Sequence, residues 1–400
     1  MQAEVVDQYG ALPEGTMLAS EACAAGILNG TTIAKAQLRL TQEREDVIFA
    51  RLETLVNSLP LVDGVLDRRA LAFREADRFS TVLVGSMPKS GEAIGNSDFH
   101  LAYAALLGVP PQCLKAYVGK LKCGKGDGAR PLDPYGDGLT CTSASGDGWR
   151  KKHDRVKWSL DGWLSHAHIE HTTEVYGLFA ATINQEAAQN IHTRTRQGMV
   201  PDLGITPHDG GPMELWELKC INQSKTYFSN VGGSRCAGVA HRAASVHQEY
   251  VRKAKNVDRD YNNVDVSGGN LGPTGQRLAE YGQVRAIVFG PRGEGSSDAH
   301  SLVDLIANKA ANRRWRPMGA KSFVVARDAY KSWAYRSIGI TAIRANAELI
   351  RTRLGILLGD GAAAASRRHA SKDENRRAAE EYEAYFARGP GGHGGGRMRE

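Results

Sequence analysis

Two short stretches hold residue types that could do chemistry together, Pro201-Asp202 and Glu217-Leu218-Lys219. They fall in the segments GMVPDLGIT and MELWELKCI, which read as two strands joined by PHDGGP. Asp209-Gly210, inside that connection, is a favoured hairpin pair. A register centred on it sets Asp202 opposite Glu217, with Cβ atoms roughly 5 Å apart on one face. Pro207 then faces Pro212, a poor match for a ladder, so the connection is expected to open into a longer loop while the register survives. Lys219, two residues past Glu217, shares its face. Two carboxylates this close repel unless a cation compensates. Hard oxygen donors suit Mg2+ or Mn2+, with phosphate oxygens completing the shell. A lysine beside such an ion positions the attacking water and offsets charge on the phosphate. The opposite face of the second strand (Glu214, Trp216, Leu218, Cys220) is mostly apolar and can pack inward. A plainer alternative fits the same pattern, because a charged strand face is also how the solvated side of a sheet reads.

The elements that must position these residues can be read along the chain. Residues 18 to 59 show helical periodicity, and a short helix is expected around Arg68 to Phe79. Asp98 is placed to cap the helix FHLAYAALLG, which ends at Gly108 before Pro110 and Pro111. Residues 122 to 149 are dense in Gly, Asp and Ser and read as a loop about 28 residues long, a length usually tied to function or a metal staple. RKKHDRVKWSLDGWLSHA is helical, with Val156, Leu160, Trp163 and Leu164 on one face and basic residues at its start. IEHTTEVY reads as a strand, GLFAATINQEAAQN and AHRAASVHQEYVRKAKNV as helices, and QVRAIVFG as the clearest buried strand. HSLVDLIANKAANR and residues 320 to 358 are helical, and GPGGHGGGRMRE is a flexible tail. Strand and helix segments alternate, so the fold class is α/β in the α+β sense.

Composition narrows the class of protein. The 400 residues are 42% hydrophobic and 24% charged, values that let most of the chain bury a core. Lys and Arg total 51 against 44 Asp and Glu, a net +7 that permits a polyanionic partner without demanding one. No run is long and apolar enough to span a bilayer, so no membrane partner is expected. MQAEVVDQYGALPEG lacks the apolar core of a signal peptide. The six cysteines are scattered, as in a reduced intracellular protein of the nucleus or cytoplasm.

With these residues in place, positions 150 to 310 resemble the PD-(D/E)xK nuclease superfamily, the restriction-endonuclease-like fold. The resemblance implies a core of helix, three antiparallel strands, helix and strand, a mixed sheet flanked by helices. That order maps onto 153–167, 169–175, 199–205, 213–221, 239–256 and 283–290, with 177–190 as an inserted helix. It implies that Asp202 and Glu217 bind the metal and that Lys219 assists the water. It also implies a third, upstream acid: Glu174 is the choice, with Glu186 and Glu170 as alternatives.

A narrower resemblance runs from about 75 to 310. SMPKSGEAIGNSDFHLAYAALLGVPPQC, KCGKGDG, DPYGDGLTC and GWRKKHDRV are similar to the region downstream of the polymerase in some non-LTR-type retroelements. There a Cys/His cluster precedes a basic R-x-x-H-D helix and a restriction-like endonuclease. This implies a detached or truncated retroelement nuclease that acts on DNA, with RNA not ruled out, and a reverse transcriptase as a possible partner. The Cys/His cluster departs from the pattern: Cys123 has no near partner, and Gly138 stands where the family places His. Cys141 and His153 remain, with Cys113 at a distance, too few to expect a structural Zn.

The resulting organisation is a helical region 1–95, a helix and Gly/Asp-rich loop 96–149, a nuclease-like core 150–310, a helical region 311–388 and the tail 389–400. Arg150, Lys151, Lys152 and Arg155 at the helix start, with Arg242, Arg252, Lys253 and Lys255 on the later helix, are expected to contact phosphate. His166, His168 and His171 are expected not to converge. Two other readings stand beside the nuclease: a catalytically inactive nucleic-acid-binding remnant on the same fold, and an α-rich scaffold in which 199 to 221 is not a hairpin.

Overall fold

The computed structural model describes residues 44, 46–58, 68–71, 76–85, 94–124, 129–140, 148–183, 199–208, 210–224, 227, 237–266 and 269–359. Expectations for residues 18–43, Cys141, Glu186, Asp209 and the tail lie outside them.

Helix α1, Asn96–Leu107, ends on Gly108 in the left-handed region (φ 67°), whose N–H bonds to Ala104 and Ala105 carbonyls. Only glycine fits there, because a Cβ would lie 2.0 Å from the Arg69 carbonyl oxygen. Asp98 is not the cap. It sits inside the first turn, buried, and pairs with Arg351 at 2.7 Å.

The expected long loop is partly built. Strands β1, Lys122–Cys123, and β2, Arg130–Pro131, form a small antiparallel pair. Leu132 and Leu139 are buried, and a helical turn covers Asp137–Thr140. Asp133 accepts from the N–H groups of Tyr135, Asp137 and Gly138, and Arg69 pairs with Asp137 at 2.9 Å. Short polar side chains compete for local backbone donors in this way, and here they organise a turn.

Helix α2, Gly148–His166, buries the expected face of Val156, Leu160, Trp163 and Leu164. Strands β3 (Glu170–Thr173), β4 (Leu203–Thr206) and β5 (Glu214–Cys220) form an antiparallel meander. The helix expected over 177–190 is, in its described part, a turn followed by a 3-10 turn at Ala180–Thr182. Helices α3, Ala237–Tyr261, and α4, Pro273–Glu280, lead to β6, Arg285–Phe289, which pairs parallel to β5. The sheet order is β3-β4-β5-β6.

Both faces of the sheet are covered. Leu203, Ile205, Trp216, Leu218, Ile287 and Phe289 pack with α2, with α5 (Ser297–Arg314) and with α6 (Phe323–Leu357). Leu215, Ala286 and Val288 pack on the other side with Val246, Tyr250 and Ala254 of α3. Burial on both faces explains why β6 reads as an unbroken apolar run and not an alternating one. Helix α6, 35 residues and about 52 Å long, adds Ile343, Ala347 and Ile350 to a second core with Leu101, Leu114, Leu132 and Leu139. The predicted C-terminal helical region thus shares its helix between two cores. The architecture is α+β, and no helix of the described residues is long and apolar enough to cross a membrane.

Candidate active site

The hairpin holds the predicted register. Leu203 pairs with Trp216, Gly204 with Leu215 and Ile205 with Glu214, so Asp202, just before β4, stands level with Glu217. Pairing stops at Glu214 and the connection opens into a loop, as the two prolines require. Asp202 and Glu217 share the sheet face that carries Lys219, while Trp216 and Leu218 point into the first core.

Asp202 is fixed from two sides. Its Oδ2 accepts from the Leu218 N–H at 2.9 Å and lies 3.2 Å from His153 Nε2. Burial pushes its carboxyl pKa up, but the His153 bond and charge, the Leu218 N–H and the Lys219 charge prevail and hold it below the usual carboxylate range. Buried Glu217 accepts from Lys219 Nζ through Oε1 and from the Tyr250 hydroxyl at 2.6 Å through Oε2. Tyr250 is consequently driven far above an ordinary phenol, by burial first and by the Glu217 charge second.

Glu174 arrives at the site along the β3 edge. Its N–H donates to the Asp202 carbonyl at 2.9 Å, and the next N–H, of Val175, donates to the Pro201 carbonyl at 3.0 Å. Its backbone is left-handed (φ 53°), a conformation that costs a non-glycine residue roughly 1–2 kcal/mol. One carboxylate oxygen takes Lys157 Nζ and the other the Tyr176 hydroxyl. The Lys157 bond, then the Tyr176 bond, lower its pKa against burial and against repulsion from Asp202. Lys157 also lies 3.6 Å from Asp154. Glu170, at the far end of β3, pairs with Thr206 and is exposed, so it does not join the group.

Sequence reasoning did not give the site His153, Lys157 or Tyr250. The sequence pattern sets His153 with Cys141, too few ligands for a structural Zn; its ring instead bridges Asp202 and Asp154. The quoted R-x-x-H-D motif was the usable signal, because its His and its Asp both face the site. Gly138 packs directly on Cys123: a Cβ there would lie 2.8 Å from the Cys123 Cβ and 3.2 Å from its sulfur. The two loop positions are therefore neighbours, but one of them brings no side chain.

The basic residues separate into two groups. Arg150, Lys151 and Arg252 are exposed. Lys253 is half-buried, with its ammonium 5.0 Å from the Tyr250 ring. Arg155 pairs with Glu348 and Arg242 with Glu249. Lys152 requires correction: it is buried and donates to the Ile221 carbonyl at 2.9 Å and to Asn346 Oδ1 at 3.0 Å, so it cannot reach a phosphate at the surface. The three histidines diverge as expected. His171 pairs with Asp161, His166 packs on Trp163 and Tyr330, and His168 is exposed.

The donor set of Asp202 and Glu217 suits a hard divalent cation in chemistry and in placement on one face. Among the described residues, no three His, Cys, Asp or Glu side chains are gathered so as to hold a metal ion. The carboxylates point instead to Lys219, His153 and Lys157. Comparison with family models, curated proteins and solved structures finds no match to this chain.

Proposed function

We propose that this chain is a metal-dependent endonuclease or nickase that hydrolyses phosphodiester bonds in DNA, with RNA as the alternative substrate. The observation that carries the reading is the placement of Asp202 and Glu217 side by side on one sheet face with Lys219 beside them. The order α2, three antiparallel strands, α3, β6 supports a restriction-endonuclease-like core, and the R-x-x-H-D helix supports a retroelement origin with a reverse transcriptase partner.

Asp202 and Glu217 are the residues that would hold Mg2+ or Mn2+, and the ion when bound supplies Lewis acidity at the phosphoryl oxygen. His153 and the Leu218 N–H keep the Asp202 carboxylate ionised and fixed in direction. Tyr250 anchors one oxygen of Glu217 and leaves the other to Lys219. Lys219, a flexible point charge, can leave Glu217 and meet the charge that develops on the phosphate. Glu174 can serve as third acid only by releasing Lys157. Arg150, Lys151 and Arg252 are the exposed cations that would follow the phosphate backbone.

The test is nicking of supercoiled plasmid in Mg2+ and Mn2+. The expected outcome is relaxation by the wild-type protein and a rate at least about 100-fold lower for Asp202→Ala and Lys219→Ala. Equal nicking by Asp202→Ala sinks the assignment. A second reading, an inactive nucleic-acid-binding remnant, draws on the protein cations that already occupy both carboxylates. Calorimetry with Mn2+ separates the two, because only an intact site takes up the ion.

A further inference from the structure

Helix α2 buries Trp163 on its core face yet carries Trp158, 58% exposed, on its solvent side. Tyr176, two residues past Glu174, is 63% exposed. Burying aromatic surface is favourable, so two large rings left open beside one charged site are available to an occupant. Both rings are tied to one ion pair. Lys157 Nζ lies 5.7 Å from the Trp158 ring centroid and bonds Glu174, whose other carboxylate oxygen holds the Tyr176 hydroxyl. The left-handed backbone at Glu174 turns the chain at this point. Strain of this kind persists where the surroundings enforce it and often marks a functional position.

Charge around the rings names the occupant. Arg150 lies two helical turns before Trp158, about 12 Å along the axis, and Lys151 is beside it; both are exposed. The Glu174 carboxylate acts most strongly on the Tyr176 hydroxyl and raises its pKa, and the charges of Lys157 and Arg150 oppose it, so the ring lies within reach of both cations. Open aromatic faces next to solvent-facing cations are the two parts of a surface that stacks bases while it tracks a phosphate backbone. A paired duplex hides its base faces, whereas unpaired nucleotides present them.

We propose that Trp158 and Tyr176 form a stacking platform for unpaired nucleotides, so that the substrate enters the Asp202–Glu217 site as single-stranded or locally splayed nucleic acid. This rests on reading that site as one that acts on nucleic acid. Binding can nevertheless be measured without cleavage. The probe is a fluorescently labelled thymidine 20-mer and, in parallel, a blunt duplex of the same length, followed by anisotropy at fixed salt in EDTA.

Trp158→Ala and Tyr176→Ala are each expected to weaken binding of the single strand about 10-fold, in the range of one lost base stack, and to change duplex binding less than about 2-fold. Trp158→Phe and Tyr176→Phe should keep most of the affinity; the latter shows that the ring matters and not its bond to Glu174. The proposal is overturned by equal losses on both probes, by no loss, or by a wild-type protein that does not bind the single strand. If the contrast at Trp158 holds while no variant or wild-type protein nicks plasmid, the platform stands and the cleavage reading falls. Both ring positions are exposed, and thermal melts of the variants within a few degrees of wild type confirm an intact fold.

Discussion

Two glutamates in this molecule have the same kinds of partner and different fates. Glu217 accepts from Lys219 and from the Tyr250 hydroxyl at 2.6 Å; Glu294 accepts from Arg292 at 3.1 Å and from the Tyr227 hydroxyl at 2.6 Å. Glu294 and Arg292 are closed off, with side-chain exposures of 0% and 1%, and the Arg292 N–H adds a further bond at 2.9 Å. Glu217 is buried too, but its lysine is 30% exposed and a second carboxylate, Asp202, stands level with it. A planar guanidinium plus a backbone donor fixes one glutamate, whereas a flexible ammonium at the surface leaves the other exchangeable. On the proposed reading, the difference teaches that a buried carboxylate can serve as a site where its counter-charge reaches solvent.

The largest expected effect breaks that contrast directly. Glu294→Gln removes one partner of an enclosed ion pair and should destabilise the fold by about 3–5 kcal/mol. Glu217→Gln leaves Lys219 free to hydrate and removes a carboxylate from beside Asp202, so its cost should stay under about 1 kcal/mol. Urea denaturation of both variants checks this, and equal losses would show that the two pairs are alike. A smaller effect sharpens the comparison. Mn2+ at about 100 times its dissociation constant should raise the stability of wild-type protein by about 2.7 kcal/mol. Asp202→Ala and Glu217→Gln should abolish that gain, while its persistence in either variant would place the ion elsewhere.

How much of this was legible depended on sequence distance. The hairpin register could be read because Asp209-Gly210 and the alternation of Trp216 and Leu218 with Glu217 and Lys219 are local patterns, and turn chemistry fixes register. The buried face of α2 was legible from helical spacing. His153 on Asp202, Tyr250 on Glu217 and Arg351 on Asp98 were not, because each joins elements far apart in the chain, and no local period reports such a contact. Lys152 misled for the same reason. Its neighbours in sequence are exposed cations, and only the packing of α2 against α6 shows that it points inward to Asn346. The short strand pair and helical turn within this loop were not legible, because Leu132 and Leu139 are too sparse to show a period, yet they close the second core.

The smallest effect concerns His166, at the end of α2, where its ring packs on Trp163 and Tyr330. Burial first, then the charges of Arg314 and His168, push the His166 pKa down to about 4. In the unfolded chain the same ring titrates near its ordinary value of about 6.5. Above that pH both states hold a neutral ring and its contribution is fully present. As the pH falls through the window from about 6.5 towards 4, the unfolded chain takes up the proton first, so the fold loses stability. The ring is only partly buried, and solvent screening reduces the loss to about 1 kcal/mol. His166→Phe keeps an aromatic ring against Trp163 and Tyr330 but cannot titrate. The difference in unfolding free energy between wild type and variant, measured at pH steps across that window, should therefore shift against wild type as acid is added. A flat difference would mean that His166 accepts its proton as readily in the fold as out of it, and that packing against Trp163 and Tyr330 does not disfavour a lone charge, whereas the interior holds the charges of Arg292 and Glu294 as a pair.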